Sequence, residues 1–190
     1  MKGVSIVMKE YLLSEIKKCI SSWDKSDIYA ISLFVYDLDD NPCQPTVTLG
    51  YNTNSQWSAE IKYASDEQEA KWNYAFWLQN CELEFGTGDS QKIVREWLND
   101  NELPYYSSQE LFKSSDIDEE HLNSITKAFV NVLIEIVWNL HHSGFINEQF
   151  GKDIPVIIHE LEYYDEIAQQ NLKANPVELL EDFVQFCTGI

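Results

Sequence analysis

The sequence has very few positive charges. It contains 13 Lys and Arg residues, and only Arg95 is an arginine, against 32 Asp and Glu residues, so the formal net charge is −19. A chain of this sign repels the phosphates of nucleic acids and of anionic membranes, which predicts that neither is a direct partner. The same charge attracts a basic protein surface, at rates that fall as salt is added.

Cysteine and long apolar runs are also scarce. The four cysteines stand far apart and form no C-x-x-C pair, which excludes a zinc ribbon and a dense disulfide framework. No stretch approaches the roughly 20 apolar residues of a membrane span, and Lys9 and Glu10 interrupt the apolar start of the chain, unlike a secretory signal. These features predict a cytoplasmic protein with reduced thiols and no cofactor.

The apolar content is nevertheless that of a folded protein. Hydrophobic residues make up 44% of the chain and aromatic residues 13%, enough apolar surface to offset the entropy of ordering the chain. The sequence shows no internal repeat and no linker rich in Gly, Ser or Pro. A single domain over residues 1–190 is therefore predicted.

Periodicity predicts strands and helices in an α+β arrangement. Residues 28–36 are β-branched and aromatic on both alternating faces, as in a strand covered on both sides. Residues 46–52 alternate apolar and small side chains and are expected to pair with them in antiparallel fashion, and residues 154–161 predict a third strand. The expected fold is a small mixed or antiparallel sheet packed with helices.

Four helices are predicted around this sheet. Residues 117–142 carry a continuous apolar stripe, and Asp116 and Glu119 are spaced as a capping box. The other helices are predicted over 8–24, from Asp89 or Ser90 onwards, and from Asn175, Pro176 and Glu178 onwards. Residues 55–80 combine helical and strand spacing, and the sequence leaves them open.

Two loop motifs are tested and rejected. Asp37, Asp39 and Asn41 match the first positions of a calcium loop, but Pro42 replaces the required Gly and Thr48 the bidentate Glu. The glycine-rich segment 86–90 lacks the lysine of a phosphate-binding loop. Turns are the favoured interpretation of both segments.

The histidines are the remaining candidates for a metal site. His141 and His142 end the long predicted helix, and His159 lies beside Glu160 and near Glu162. Adjacent histidines rarely bind one ion well, and the helix dipole favours histidine at a helix carboxyl end, so structural roles are preferred. No catalytic motif such as G-x-S-x-G or H-E-x-x-H is present, so an enzymatic activity has no support from the sequence.

Three segments in succession resemble one bacterial family. They are DIYA running into SLFVYD at 27–37, KWNYAFW at 71–77, and IPVIIHELEYYDE at 154–166 with the later Asn175–Pro176. In order and spacing they are similar to the family catalogued as domain of unknown function 4303. The late segment departs from the family pattern, because His159 and then Glu160 stand where an acidic residue is expected first. The family has no established activity, but its resemblance to proteins encoded beside polymorphic toxins implies an immunity role.

Charge and resemblance together predict an immunity-type binding protein that blocks a basic toxin, such as a nuclease. The acidity is uneven, since residues 97–190 hold 17 acids and four lysines, a net charge of −13. Carboxylates would steer the partner and exposed aromatic residues would anchor it. The candidate partner-binding residues are Asp37, Asp39, Asp40, Asp116, Asp118, Glu119 and Glu120. A solvated acidic surface that only aids solubility remains an alternative.

Two other classes of function stay open. The first is a small-ligand binder or enzyme with an aromatic pocket, which would combine Trp72, Tyr74 and Trp77 with the polar groups of His159 and Glu160. The second is a structural adaptor or homodimer, which would present a flat apolar patch. A deep pocket with converging polar groups would distinguish the first from the second.

Overall fold

The described part of the chain is a single α+β domain, which confirms the predicted fold class. The computed structural model describes residues 3–103, 106 and 119–189, with side chains for 7–103, 106 and 122–189. Within these ranges it contains eight helices and one four-stranded sheet. The sheet lies between two groups of helices, and both of its faces are buried.

The sheet is mixed, with strand order β3–β2–β1–β4. β1 and β2 form the predicted antiparallel pair, with Leu33 opposite Leu49. β4 lies parallel to β1 on the other side, with Ile31 opposite Val156. The third predicted strand is shorter than its apolar run, and β3 has no counterpart among the predictions. The strands are β1 (Ile28–Asp37), β2 (Pro45–Thr53), β3 (Leu83–Phe85) and β4 (Val156–His159).

Three of the four predicted helices are present at their expected places, namely the opening helix, the helix beginning at Ser90 and the long helix. The predicted capping box at the start of the long helix involves Asp116, which lies outside the described residues, and the side chain of Glu119, which lies outside them too. The helices are α1 (Gly3–Ser21), α2 (Asn54–Glu60), α3 (Glu67–Trp72), α4 (Ser90–Asp100), α5 (Glu119–His142), α6 (Phe145–Phe150), α7 (Asp165–Ala174) and α8 (Glu181–Thr188).

The predicted start of the last helix is wrong. Asn175 has an extended backbone and Pro176 is also non-helical, so the chain makes a 3-10 turn over Val177–Leu179 before α8 begins at Glu181. Asn175 is used differently, because its side chain pairs with β4. The residues before it form α7, which was not predicted.

Asp89, one of the two residues predicted to cap α4, occupies its N-cap position but does not cap it through its side chain. Its backbone is helical, and its side chain makes no capping hydrogen bond. The hydroxyl of Ser90 instead accepts from the Gly86 amide at 2.9 Å and donates to the Thr87 carbonyl at 2.7 Å. These two hydrogen bonds hold the glycine-rich segment in a turn, which is the structure predicted for it.

The sequence does not decide between helix and strand for residues 55–80, and the regular elements of this segment are helical. α2 and α3 follow the helical spacing, and a 3-10 turn covers Tyr74–Phe76. The strand-like alternation after Trp72 is interrupted because the Asn73 side chain accepts a hydrogen bond from the Ala75 amide at 3.0 Å, which closes a local turn.

The two faces of the sheet bury different kinds of side chain. Ile31, Leu33 and Val35 pack into the main core together with apolar residues of α1, α4 and α5. Ala30 and Ile157 face the opposite layer. That second layer is aromatic, and its largest buried members are Trp72, Trp77 and Phe183.

Two asparagine side chains form hydrogen bonds with the backbone amides and carbonyls at the outer edge of β4. On β4, Asn171 accepts from the Ile158 amide at 2.8 Å and donates to the Ile158 carbonyl at 2.7 Å. Asn175 does the same for Val156, at 2.8 and 3.0 Å. Since Asn171 and Asn175 are four residues apart, the two amides stand side by side and imitate a neighbouring strand.

Candidate functional site: an acidic groove and an aromatic cluster

A large open groove lies at the carboxyl ends of the parallel strands β1 and β4. Its volume is about 1210 Å³. It is lined by the end of β1 from Phe34 to Asp37, by residues of α5 and α7, and after β4 by Glu160, Leu161, Glu162 and Tyr164. The ends of parallel strands are a common position for binding sites because the backbone leaves the sheet there in different directions.

The charges in this groove are mainly negative. Two lysines, Lys127 and Lys173, line its walls against five carboxylates, which gives the lining a formal net charge of −3. The five carboxylates are Asp37, Asp40, Glu160, Glu162 and Glu166. We refer to this site as the acidic groove.

Two of these carboxylates are destabilised in their charged form. Burial raises the pKa of Asp37, and the negative charge of Asp40 raises it further. Burial also raises the pKa of Glu160, and Asp37 adds to that shift, while a hydrogen bond from the Tyr164 hydroxyl at 3.3 Å opposes it. Within the described part of the chain, neither Asp37 nor Glu160 forms an ion pair. A cation bound close to both carboxylates would therefore offset the cost of their desolvation and their mutual repulsion.

Apolar side chains border the acidic groove. Leu161 is 72% exposed and Tyr164 is 41% exposed, and both line it. Val130 and Ile134 contribute apolar surface from α5. Exposed aromatic and aliphatic groups beside carboxylates are suited to anchoring the stem of a long basic side chain while its charge meets the acids.

The predicted acidic residues are only partly brought together. Asp37 and Asp40 line the acidic groove, whereas Asp39, on the same 3-10 turn, is exposed and does not line it. Asp39 and Asp40 both have a left-handed backbone, with φ of 56° and 54°. Asp116 and Asp118 lie outside the described residues. Glu119 and Glu120 begin α5, about one turn before the part of that helix that lines the groove, and their side chains are not described.

The residues of the predicted aromatic pocket do not surround an open space at their centre, because aromatic rings pack directly around His159 there. The ring of His159 lies 4.7 Å from that of Tyr74 and 6.0 Å from that of Trp77, measured between centroids. Phe34 stacks on Tyr74 at 5.0 Å and covers the same region. His159 itself has no exposed surface. Of the other two predicted members, Trp72 belongs to the same buried aromatic layer and packs on Phe183 at 5.5 Å, while Glu160 lines the acidic groove.

The hydrogen bonds of His159 define its protonation. Its Nδ1 lies 3.0 Å from the carbonyl oxygen of Glu160, which can only accept, so Nδ1 carries the proton. Nε2 then accepts from the Ser32 hydroxyl at 2.8 Å. Burial lowers the pKa of His159 to about 4, and the hydrogen bond to Glu160 opposes that shift. The Ser32–His159 pair thus satisfies two buried polar groups.

The remaining histidines are separated from His159. His141 lies 3.1 Å from Asn175 and 3.4 Å from Asp153, while His142 stacks on the exposed ring of Trp138 at 3.7 Å. Among the described residues, no group of three or more His, Cys, Asp or Glu side chains is arranged to hold a metal ion.

Several groove residues were not predicted from the sequence. Lys127 reaches the groove from α5, while Tyr164 and Glu166 lie at the start of α7, in the chain that the parallel pairing of β4 with β1 brings beside the end of β1. The run Glu162–Tyr163–Tyr164–Asp165–Glu166 directly after an apolar strand was the available signal, since acidic and aromatic residues that follow a strand often line a site.

Comparisons with protein-family models, curated proteins and solved structures found no match. The resemblance based on the three sequence segments therefore stays a prediction. No helix within the described ranges has both the length and the apolar character needed to cross a membrane.

Proposed function

We propose that this chain is a binding protein whose acidic groove holds a basic segment of another protein. The observation that carries the proposal is that Asp37 and Glu160 both line this groove, at the ends of β1 and β4, and that neither forms an ion pair within the described residues. A Lys or Arg side chain between them supplies the missing charge. Leu161 and Tyr164 then pack along its apolar stem.

The sequence resemblance supports an immunity role as the context of this binding. If the chain is an immunity protein, the basic partner is a toxin that acts in the cytoplasm, and occupation of the acidic groove covers the toxin's basic surface. Such a surface is what a nuclease uses to hold nucleic acid. Inhibition is then steric and electrostatic, and no step of chemistry is required of this chain.

Binding of a lysine-rich peptide tests the groove directly. The triple variant Asp37→Asn, Asp40→Asn, Glu160→Gln removes the central carboxylates and is expected to weaken calorimetric affinity by about tenfold or more, as loss of charge-assisted contacts does. The matched control is Glu10→Gln, Glu67→Gln, Glu148→Gln, which removes the same charge from exposed positions that do not line the groove. A peptide with acetylated lysines should not bind.

Equal weakening in both triple variants would contradict the proposal, because affinity would then depend on the overall charge and not on the groove. The toxin context has a separate readout. A basic protein captured from the native host should inhibit growth when expressed alone, and the wild-type chain should relieve that inhibition while the groove variant does not. Growth relief by the groove variant would show that the toxin is blocked at another surface.

A further inference from the structure

A second cavity lies at the opposite end of the sheet from the acidic groove. Its volume is about 320 Å³, at the lower end of the roughly 300–1,000 Å³ that ligand pockets occupy. Tyr29 at the start of β1 and Pro155 just before β4 border it, whereas the acidic groove begins where these strands end. The two cavities are therefore separate sites.

Three aromatic rings form the walls of this cavity and are held in place. The ring of Tyr29 lies 6.0 Å from Trp57 and 6.0 Å from Trp72. The Tyr29 hydroxyl donates to the Lys71 carbonyl, and the Trp57 indole donates to the Glu67 carbonyl at 3.3 Å. These bonds fix the rings of Tyr29 and Trp57 before any ligand arrives, and the ring of Trp72 is held by its burial, so binding does not have to order them.

The ammonium group of Lys71 already lies against these walls. It is 5.4 Å from the ring centroid of Trp57 and 5.0 Å from that of Trp72, and it pairs with Asp182 at 2.6 Å. The faces of aromatic rings carry negative partial charge, so they attract cations at this distance. The chain itself thus shows that the walls accept an ammonium group.

The charge of the cavity leaves it attractive to a further cation. Glu178, Glu181 and Asp182 line it against the single positive charge of Lys71, a formal net charge of −2. Within the described residues, Glu178 and Glu181 form no ion pair. An anionic ligand is disfavoured, because it would face both the ring faces and the two free carboxylates.

We propose that this cavity binds a small alkylated ammonium group of the choline type. The walls offer ring faces, and the Asp182 carboxylate is already paired with Lys71. An alkylated ammonium needs no hydrogen bonds and loses little hydration on entering such a site, whereas a metal ion requires several oxygen ligands. This proposal is independent of the acidic groove and of any protein partner.

The test is a titration of the six tryptophan indole signals in a ¹H–¹⁵N spectrum with choline chloride. The signals of Trp57 and Trp72 are expected to shift and saturate, while that of Trp138, exposed on α5, stays in place. The neutral isostere 3,3-dimethylbutan-1-ol should give no saturating shift. In the Trp57→Leu variant and in the Glu178→Gln, Glu181→Gln variant, the Trp72 signal should report affinity weaker by about tenfold.

The Lys71→Met variant distinguishes a cation-binding cavity from a cavity that has only a structural role. It removes the internal cation and its repulsion, so choline should bind more tightly, and the Trp138→Phe control should bind as the wild type does. Melting curves of each variant show whether it is folded. An equal response to choline and to the alcohol overturns the proposal. The absence of any shift at about 100 mM choline also overturns it, because a specific ammonium site is saturated far below that concentration. A response to free lysine without one to choline overturns the choice of an alkylated ligand.

Discussion

The imidazole of His159 is fully buried, so it remains neutral in the folded protein. Its Nδ1–H is held by the Glu160 carbonyl and its Nε2 by the Ser32 hydroxyl, and neither partner carries a charge. Protonation would place a positive charge among aromatic rings and would remove the acceptor that Ser32 uses. The lowered pKa of about 4 follows from this burial.

The stability of the protein should therefore depend on pH through His159. The unfolded chain binds a proton at this residue below its ordinary pKa of about 6.5, while the folded chain does so only near pH 4. Between these values the unfolded state holds more protons, so stability present above about pH 6.5 is lost as the pH falls. From about pH 7 to about pH 4.5 the loss at this one residue is on the order of 2 kcal/mol.

The measurement compares urea unfolding of the wild type with that of His159→Gln at both pH values. Asp37 and Glu160 have raised pKa values and contribute with the opposite sign, but they are present in both proteins and cancel in the difference. Glutamine can accept the Ser32 hydrogen bond and does not titrate. A difference between the two proteins that stays constant with pH would argue against a buried neutral histidine.

At the scale of elements, the pairing of α7 with the edge of β4 depends on two asparagines. Asn171→Ala leaves the Ile158 amide without its partner in a buried position, and it is expected to lower the free energy of unfolding by about 1–3 kcal/mol. Alanine is the better helix former, so weakening of α7 itself cannot explain such a loss. Urea unfolding gives the free energy, and hydrogen exchange at Ile158 locates the change.

The control for this substitution lies two residues away. Gln169→Ala changes an exposed position of the same helix and should alter stability by no more than about 0.5 kcal/mol. If Asn171→Ala is equally mild and Ile158 keeps its protection from exchange, the side-chain pairing does not hold the strand edge.

The elements that could be predicted from the sequence are those with strong local periodicity. β1, β2, α4 and α5 each carry a clear apolar pattern and fold where that pattern indicates. α7 was missed because its inward face includes the amide of Asn171, which reads as a polar position although it is buried. β3 has only three residues, too few for a periodic signal.

The candidate site was harder to predict for a topological reason. From the sequence, Asp37 and Asp40 are predicted to bind a partner because of their charge, and Glu160 is assigned to a different, aromatic pocket. The parallel register that pairs Phe34 with His159 brings the ends of these strands together across more than a hundred residues of sequence. Local patterns carry no information about such a pairing, so the grouping of Asp37 with Glu160 emerges only from the fold.

At the scale of the whole molecule, the net charge of −19 acts on folding and on binding in opposite directions. Excess negative charge repels itself in the compact state, and this repulsion weakens as salt shortens the Debye length to about 8 Å at physiological ionic strength. The part of this charge that lines the acidic groove, a net −3, attracts the proposed basic partner, and salt screens that attraction too.

Added salt should thus stabilise the fold and weaken the complex. Between about 20 mM and about 200 mM sodium chloride, the free energy of unfolding is expected to rise and the affinity for a lysine-rich peptide to fall. The groove variant Asp37→Asn, Asp40→Asn, Glu160→Gln should keep most of the stabilisation by salt, because most of the net charge remains, but it should show little binding at either concentration. Peptide affinity that does not change with salt in the wild type would contradict electrostatic recognition at the groove, whatever the effect of salt on stability.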